Sequence, residues 1–295
     1  MDSWEQLSLY TEPYLKIRNK VRLIELFSGI GSQAKALERL GVEFEHWRAY
    51  DIDKYAVASY NAVHGTDFAP ADITKVHAED LGITDRAAFT YLLTYSFPCT
   101  DLSVAGYKKG MAKGSGTRSG LLWEVERILM ECGENLPQIL LMENVPQIVS
   151  EQNKYDFGTW RESLREMGYT NSYQLMNSKD YGIPQNRERC FMVSWLGEFN
   201  FVFPEPIPLE LCLRDVLEGD VDSSYYLSQN QVDQFVPKKD ILDMDTEQMD
   251  GLVVKGYVGY TTGKKTQRGR VYGDEGLSAT LNATDYKEPQ KVWRG

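Results

Sequence analysis

The sequence predicts an α/β protein built around a doubly wound, mainly parallel sheet, followed by a smaller region of different composition. Two observations predict this class: short apolar runs alternate with helix-forming segments up to about residue 199, and the alternation stops near residue 200. Strands that alternate with helices form a parallel sheet covered on both faces. With 295 residues, 42% of them hydrophobic, the chain is long enough to bury such a core.

The first predicted element is an apolar run at residues 21–27 (VRLIELF), which ends in the glycine turn SGIGS and leads into a helix that stops at Gly41. The same order recurs along the chain, which defines an N-terminal extension at 1–20, an α/β domain at 21–199 and a second region at 200–295. The further strands are predicted at 45–50, 92–97, 139–142 and 190–195, and the helices at 33–40, 54–63, 121–132 and 158–167.

The net charge of −11, taken alone, disfavours a nucleic-acid partner. The charge is unevenly distributed, because residues 255–295 hold eight basic and four acidic residues, which makes this segment +4 and the rest −15. Binding of phosphate depends on where basic residues lie. Because the C-terminal segment is basic, the net negative charge of the chain does not exclude a nucleic-acid partner.

Membrane segments and metal motifs are absent from the sequence pattern. No window approaches the roughly 18 consecutive apolar residues of a membrane span, and the first residues lack the apolar core of a secretion signal. We therefore expect a cytoplasmic protein with no membrane partner. The four cysteines are widely separated and the three histidines are not clustered. The pattern thus predicts neither a disulfide framework nor a metal site.

The glycine turn at residues 27–32 (FSGIGS) lies where the first strand of a doubly wound sheet meets its helix, which is where such folds bind nucleotide-like ligands. The third glycine of GxGxxG is missing, and plain turn chemistry is the alternative. Asp51 follows the next strand, about twenty residues on, where an acid typically accepts hydrogen bonds from ribose hydroxyls. Asp72 is placed to accept from an adenine amino group. For each acid the alternative is a solvated loop carboxylate.

The third predicted strand ends in Pro98 and Cys99, which places a thiol on the ligand side of the sheet. The other three cysteines are better explained as small buried hydrophobic residues. The glycine- and lysine-rich loop at residues 103–119 makes the surroundings of Cys99 exposed and basic, which lowers a thiol pKa and yields a nucleophile. This loop is also long enough to move as a lid.

Two further motifs carry charged side chains. Glu143 directly follows the apolar strand ILLM, where partial desolvation would keep a carboxyl protonated for use as a donor or acid. Arg187 and Arg189 are two residues apart, so both point to one face of an extended segment. Paired arginines suit a carboxylate or phosphate. The alternatives are a polar loop pair for Glu143 and a surface salt bridge for the arginines.

The motifs FSGIG, DID, ADI, FPCTDLS, ENV and QNRER, in this order, are far more specific together than any one alone. The chain resembles the cytosine C5 DNA methyltransferase family over residues 21–290. LRDVLE, at residues 213–218, is similar to the segment that opens the family's DNA-reading part, and residues 268–283 are similar to its end. The resemblance implies a Rossmann-like S-adenosylmethionine-dependent methyltransferase with a smaller, partial target-recognition domain, acting on double-stranded DNA without a metal.

The resemblance also implies the roles of individual residues. Cys99 would add to C6 of a flipped cytosine, Glu143 would bind the N3 edge, and Arg187 and Arg189 would orient the base. Ser103 and Arg118 in the loop after Cys99 would close on the DNA backbone. The positions that match those around the cofactor are Phe27, Ser28, Gly29, Ile30, Gly31, Asp51, Ile52, Asp72, Ile73, Pro98 and Leu121.

The chain departs from the family pattern at three points. Thr100 stands where glutamine is common, and Asp51 where a longer glutamate is frequent. Nothing resembles the family's closing helix with its GN dipeptide, which implies a C-terminally incomplete chain: either a truncated one, or the product of a broken or split gene whose remainder is a separate polypeptide. An active enzyme of a restriction-modification system or phage is the first hypothesis. The alternatives are an inactive remnant or half of a split enzyme that only binds cofactor or DNA, an RNA methyltransferase, and an NAD-dependent oxidoreductase.

Overall fold

The computed structural model describes residues 17, 19–102, 110–237, 251–258, 269–281 and 290–294. The chain divides into two compact units. The first runs up to Leu175 and includes Arg189–Pro204, and the second combines Met176–Glu188 with the chain from Glu205 onward. The expected domain of residues 21–199 thus differs from the first unit, which lacks the segment Met176–Glu188 and continues to Pro204.

The first unit contains a six-stranded sheet with the strand order β2-β1-β3-β4-β6-β5. The four strands β2, β1, β3 and β4 pair in parallel, and β6 is antiparallel to β4. This is the doubly wound, mainly parallel sheet that the sequence predicts. The strands are β1 (Lys20–Leu26), β2 (Phe44–Tyr50), β3 (Phe89–Tyr95), β4 (Ile139–Asn144), β5 (Tyr169–Asn177) and β6 (Glu188–Leu196).

Helices lie against both faces of this sheet, as the burial of β1 shows. Successive side chains of a strand point to opposite faces. Ile24 and Leu26 join the main core, whereas Glu25 between them receives a hydrogen bond from Tyr60. The helices are α1 (Ser32–Arg39), α2 (Lys54–His64), α3 (Ala78–Leu81), α4 (Leu122–Cys132) and α5 (Lys154–Glu166).

The main core lies between the sheet and helices α4 and α5. Trp160 of α5 is fully buried and donates its indole N–H to the Tyr95 hydroxyl at 3.1 Å. Its ring also meets Tyr95 and Trp123 edge to face. Aromatic pairs of this geometry add to the stabilisation that burial of their area provides. These contacts therefore hold α4 and α5 against the face of the sheet at β3.

The second unit contains a four-stranded sheet with the order β10-β9-β8-β7. The pairs β7–β8 and β8–β9 are antiparallel, and β9–β10 is parallel. The elements are α6 (Gln229–Asp233), β7 (Phe235–Pro237), β8 (Val254–Val258), β9 (Arg270–Gly273) and β10 (Lys291–Trp293). The sequence did not predict these strands, since none exceeds five residues and none shows a sustained apolar alternation. Among the described residues, no helix is long and apolar enough to cross a membrane.

Candidate active site

Most of the predicted site residues of the first unit lie at, or shortly after, the ends of neighbouring strands. The parallel registers align Tyr50 with Leu26, Leu26 with Tyr95, and Tyr95 with Met142. The residues that follow these strands therefore emerge at one edge of the sheet, the carboxyl edge, where doubly wound folds bind ligands. The segments that leave this edge are the glycine turn, the Asp51 turn, the Cys99 loop and the Glu143 segment.

The glycine turn is held to the neighbouring strand by backbone hydrogen bonds. The Ser28 N–H donates to the carbonyl of Tyr50 at 3.0 Å, and the Gly29 N–H donates to Oδ2 of Asp51 at 2.9 Å. Oδ1 of Asp51 accepts from the Asp53 N–H at 2.9 Å. Asp51 therefore fixes the shape of the glycine turn, and a longer glutamate is not required for that contact.

Two glycines of the turn have positive φ angles and different surroundings. Gly29 has φ +54°, and a Cβ built on it would meet no atom of the described residues within 4 Å. Gly31 has φ +79°, and its Cβ would lie 2.3 Å from Nε2 of His64 and 2.7 Å from Tyr60. Gly31 is thus needed for packing inside the protein, whereas Gly29 faces open space in which a ligand can approach the backbone.

Asp72 lies close to Asp51 along the same edge. The Ala71 N–H donates to the Asp51 carbonyl at 2.8 Å, which joins the two turns. Oδ1 of Asp72 accepts from the backbone N–H of Thr74 at 3.0 Å and from its hydroxyl at 2.8 Å. These bonds hold the pKa of Asp72 below its usual value, and Oδ2 takes part in neither. The carboxylate is therefore ionised and oriented for a hydrogen-bond donor.

The other predicted cofactor residues differ in exposure. Ser28, Gly31 and Ile73 are buried, and the side chains of Ile30 and Ile52 are 57% and 70% exposed. Two exposed aliphatic side chains beside a glycine turn offer an apolar surface to a flat ring. The partly buried members of the set are Phe27, Gly29, Asp51, Asp72, Pro98 and Leu121.

The Cys99 loop is fixed through its backbone carbonyls. The carbonyl of Phe97 accepts from Nδ2 of Asn144 at 3.1 Å, that of Pro98 from Oγ of Ser119 at 2.7 Å, and that of Cys99 from the Leu102 N–H at 3.0 Å. Asn144 and Ser119 are 2% and 0% exposed. The sequence pattern predicts no role for either side chain, although Asn144 belongs to the motif ENV.

Ser119 also connects the two ends of the long loop. Its hydroxyl accepts from the Asp101 N–H at 3.2 Å, and its own N–H donates to Oδ2 of Asp101 at the same distance. Asp101 is 5% exposed. The two ends of the loop therefore meet at a buried polar pair directly after Cys99.

Glu143 and Arg189 form an ion pair, with Nε of Arg189 3.0 Å from Oε1 of Glu143. In the antiparallel pairing of β4 and β6, Glu143 lies opposite Phe191. Residues two positions apart on a strand share a face, so Arg189 is the diagonal neighbour of Glu143. Their side chains are 21% and 17% exposed, so this pair is half-buried at the carboxyl edge.

The remaining predicted site residues lie elsewhere. Arg187 belongs to the second unit and precedes β6, and its N–H donates to Oδ1 of Asn177 at 3.0 Å. Arg118 is exposed and immediately precedes the short 3₁₀ turn Ser119–Leu121. Ser103 lies outside the described residues, as does most of the lysine-rich part of the loop.

The buried cysteines are unsuited to nucleophilic chemistry. Burial raises the pKa of Cys132 to about 11 and that of Cys190 to about 12. Cys99 and Cys212 are partly exposed, and all four residues are thiols. Position and exposure together leave Cys99 as the thiol at the carboxyl edge.

A doubly wound sheet with a glycine turn and acidic turns at its carboxyl edge is the arrangement that binds nucleotide-like ligands, and the fold places the chain in the class of S-adenosylmethionine-dependent methyltransferases. The fold agrees with solved methyltransferase structures. The methyltransferase EhMeth of Entamoeba histolytica superposes with a TM-score of 0.65 at 18% identity, over 93% of this chain and 74% of that one. Dnmt2 of S. pombe superposes with a TM-score of 0.61 at 20% identity, over 92% and 74% of the two chains.

The family follows from the sequence itself. The model of the C-5 cytosine-specific DNA methylase family matches residues 21–291, and the chain belongs to that family. It is 31% identical to the type II methyltransferase M2.ScrFI of Lactococcus lactis subsp. cremoris over 81% of this chain and 79% of that relative. It is 34% identical to the orphan methyltransferase M.SssI of Spiroplasma monobiae, of which it spans 62%. Family and fold together imply S-adenosylmethionine as the cofactor and DNA as the substrate class.

Proposed function

We propose that this chain transfers a methyl group from S-adenosylmethionine to C5 of cytosine in a specific sequence of double-stranded DNA, through a covalent adduct of Cys99. The observation that carries the proposal is the alignment of the glycine turn, the Asp51 turn, the Cys99 loop and Glu143 at one edge of the sheet. The names of the relatives, type II and orphan methyltransferases of bacteria and phages, favour a restriction-modification or phage context.

The carboxyl edge fits the cofactor. The space above Gly29 admits a ligand to the backbone, the Asp51 carboxylate suits ribose hydroxyls and the Asp72 carboxylate suits an adenine amino group. The exposed side chains of Ile30 and Ile52 suit the faces of the adenine ring. When bound, S-adenosylmethionine supplies the methyl group on a positively charged sulfur. The residues that would hold it are Phe27, Ser28, Gly29, Ile30, Gly31, Asp51, Ile52, Asp72, Ile73, Pro98 and Leu121.

Cys99 activates the base. C5 of cytosine is not nucleophilic, so the Cys99 thiolate forms a bond to C6, and the electron pair of the C5–C6 double bond becomes available at C5. After C5 has gained the methyl group, it gives its proton to a water molecule, the electrons of that C–H bond re-form the C5–C6 double bond, and the sulfur–C6 bond breaks with its electron pair returning to sulfur. The free thiolate is restored, which makes the residue a true catalyst.

Glu143 and the arginines act on the opposite edge of the base. Glu143 binds the N3 edge and the exocyclic amine, and balances the charge that develops at N3 when sulfur adds to C6. Arg189 holds the Glu143 carboxylate through the 3.0 Å contact. Arg187 would orient the base or the attacked intermediate. The base must leave the duplex to reach these groups, and base-modifying enzymes achieve this by flipping it.

DNA binding is assigned to the second unit and the loop after Cys99. The basic excess at residues 255–295 and the lysines of the loop supply phosphate contacts in an otherwise acidic chain. Ser103 and Arg118 would contact the DNA backbone when the loop closes.

The decisive experiment measures transfer of labelled methyl groups to duplex DNA, with sequencing of 5-methylcytosine to locate the target. We expect methylation of one short sequence, and its loss in Cys99→Ser but not in the matched control Cys212→Ser. DNA with 5-fluorocytosine at the target should trap the adduct, since fluorine cannot leave C5 as a proton does.

Two outcomes would contradict the proposal. Transfer to tRNA in preference to duplex DNA would indicate an RNA methyltransferase. A folded chain that binds S-adenosylmethionine but methylates no DNA, alone or with a separately supplied closing segment, would indicate a protein that only binds cofactor or DNA.

A further inference from the structure

Two of the three histidines converge on one carboxylate behind the glycine turn, in a cluster that the proposed reaction does not use. Nδ1 of His64 lies 2.8 Å from Oε1 of Glu38, and Nε2 of His46 lies 3.8 Å from the same oxygen. One ligand atom from each residue lies within 4.8 Å of the other two. The residues come from three elements, namely α1, β2 and α2, so only the folded chain brings them together.

The second nitrogen of each imidazole fixes which nitrogen carries a lone pair. Nε2 of His64 lies 3.2 Å from the carbonyl of Ile30, and a carbonyl only accepts, so Nε2 carries the proton. The Tyr60 hydroxyl donates to Oε2 of Glu25 at 2.5 Å, so its oxygen is left to accept from Nδ1 of His46 at 3.0 Å. In the neutral form of each ring, the lone pairs of Nδ1 of His64 and Nε2 of His46 therefore both face Glu38.

A cation is needed between these groups. Lys35 contacts Oε2 of Glu38 at 2.6 Å, which is the contact of an ionised carboxylate, and an ionised carboxylate only accepts hydrogen bonds. A lone pair of His64 at 2.8 Å from that oxygen is repulsive unless a proton or a metal ion lies between them. A proton satisfies His64 and Glu38 but leaves the lone pair of His46 unused, whereas a metal ion uses all three.

We infer that Glu38, His46 and His64 bind a divalent transition-metal ion of the zinc type. Zinc sites with three protein ligands and one water are tetrahedral, with neighbouring ligand atoms roughly 3.3 Å apart, and the two distances to Oε1 of Glu38 bracket that spacing. Imidazole and carboxylate are ligands that zinc accepts. The hydrogen bonds to Ile30 and Tyr60 are of the kind that orient metal-binding histidines.

The surroundings of the cluster permit this ion. The side chain of His64 is fully buried, whereas those of His46 and Glu38 are 20% and 31% exposed, so an ion can enter from the Glu38 side. Lys35 contacts Oε2 of Glu38 at 2.6 Å and is 49% exposed, so it leaves Oε1 available and can turn toward solvent.

The bound ion would stabilise the conformation of the glycine turn. His64 joins the cluster to the carbonyl of Ile30, and Glu38 lies on α1, which begins directly after Gly31. A metal ion that binds only the folded state stabilises it in proportion to the logarithm of its concentration. We therefore expect the ion to raise the melting temperature of the metal-free protein.

The test titrates metal-free protein without a histidine tag with zinc by calorimetry and with cobalt(II) by visible spectroscopy. We expect one equivalent of zinc to bind, and cobalt to give the intense absorption of tetrahedral coordination without a sulfur-to-cobalt band. Glu38→Gln and His46→Gln should each weaken binding roughly 100-fold or more. The matched control is His77→Gln, since His77 is exposed and pairs with Glu131 at 3.1 Å, and its affinity for zinc should not change.

Three results would overturn the inference. They are no zinc or cobalt binding by the wild-type protein, binding that survives both substitutions, or a sulfur-to-cobalt band that assigns the ion to a cysteine. In the first case the contact between His64 and Glu38 is a proton-mediated ion pair. Circular dichroism shows whether each variant folds. If a variant does not fold, the cobalt(II) spectra of the wild-type protein still show whether a tetrahedral site without sulfur is present. None of these results bears on methyl transfer, which is measured separately.

Discussion

Asn144 donates a hydrogen bond from Nδ2 to the backbone carbonyl of Phe97 at 3.1 Å, and thereby joins the end of β4 to the segment that carries Cys99. Its Oδ1 accepts from the N–H of Val145 at 2.9 Å. The side chain is 2% exposed, so both backbone groups depend on it. The residue next to Glu143 therefore sets the position of the Cys99 loop.

Asn144→Asp keeps an acceptor for Val145 but removes the donor to Phe97, so we expect it to slow catalysis. A displacement of the Cys99 sulfur by about 1 Å lowers kcat roughly 100-fold. Asn144→Ala should also lower the free energy of unfolding by about 2 kcal/mol, because buried polar groups lose their hydrogen-bond partner. Steady-state kinetics and urea unfolding measure the two effects. The control is Asn171→Ala on the edge strand β5, which removes one hydrogen bond to the carbonyl of Arg161 in helix α5. Equal kcat losses in both positions would contradict a positioning role.

Gly29→Ala and Gly31→Ala should have different effects. At Gly29 the added methyl group costs about 1–2 kcal/mol of backbone strain and projects into open space, so the main loss is affinity for S-adenosylmethionine. At Gly31 it also overlaps His64 and Tyr60, so the loss of stability should be roughly 2–5 kcal/mol. Thermal unfolding and cofactor titration separate the two. Unchanged cofactor affinity in Gly29→Ala would argue against a ligand at this turn.

Glu143 and Arg189 should act as one unit. Removal of a general acid or base costs about 100- to 10,000-fold in rate, and we expect Glu143→Gln to fall in this range. If Arg189 acts through Glu143, the double variant with Arg189→Ala should be no slower than Glu143→Gln alone. Methyl-transfer rates of the four proteins test this. Multiplicative effects would mean that Arg189 contacts the base independently.

Native thiol reactivity should divide the cysteines into two pairs. Burial and the raised pKa values of about 11 and 12 leave Cys132 and Cys190 almost fully protonated and inaccessible. At about pH 8, iodoacetamide should therefore modify Cys99 and Cys212, and all four only after unfolding. Mass spectrometry of digests measures the sites. Early modification of Cys190 would show that β6 opens in the native state.

Asp274 should make the second unit sensitive to acid. Its carboxylate is 3% exposed and accepts from Nε and Nη2 of Arg214 at 2.8 and 2.7 Å, which holds its pKa below the usual value. The stabilisation is present above the pKa of an unfolded aspartate and is lost as the pH falls through the lower pKa of the folded state. Asp274→Asn should therefore lower the melting temperature at neutral pH and reduce its pH dependence. The exposed pair of Glu275 with Lys255 supplies the control Glu275→Gln, for which little change is expected.

Much of the first unit can be predicted because its elements are encoded locally. Apolar runs such as residues 21–27 and a glycine turn define a strand and its end without reference to distant residues. The predicted strands and helices of the first unit are present with ends that differ by up to four residues. β5 was not predicted, since its middle and end are partly or fully exposed and it carries no apolar run.

The family, the doubly wound sheet and the positions of Cys99 and Glu143 at or near strand ends can be predicted from the sequence, because the motifs and the local periodicity lie within short segments. The side-chain contacts depend on how distant segments pack. The pairing of Glu143 with Arg189 depends on the register of β4 and β6, and Asn144 reaches Phe97 across 47 positions of the chain. The cluster of Glu38, His46 and His64 likewise depends on three elements packing together, which no spacing in the sequence reveals.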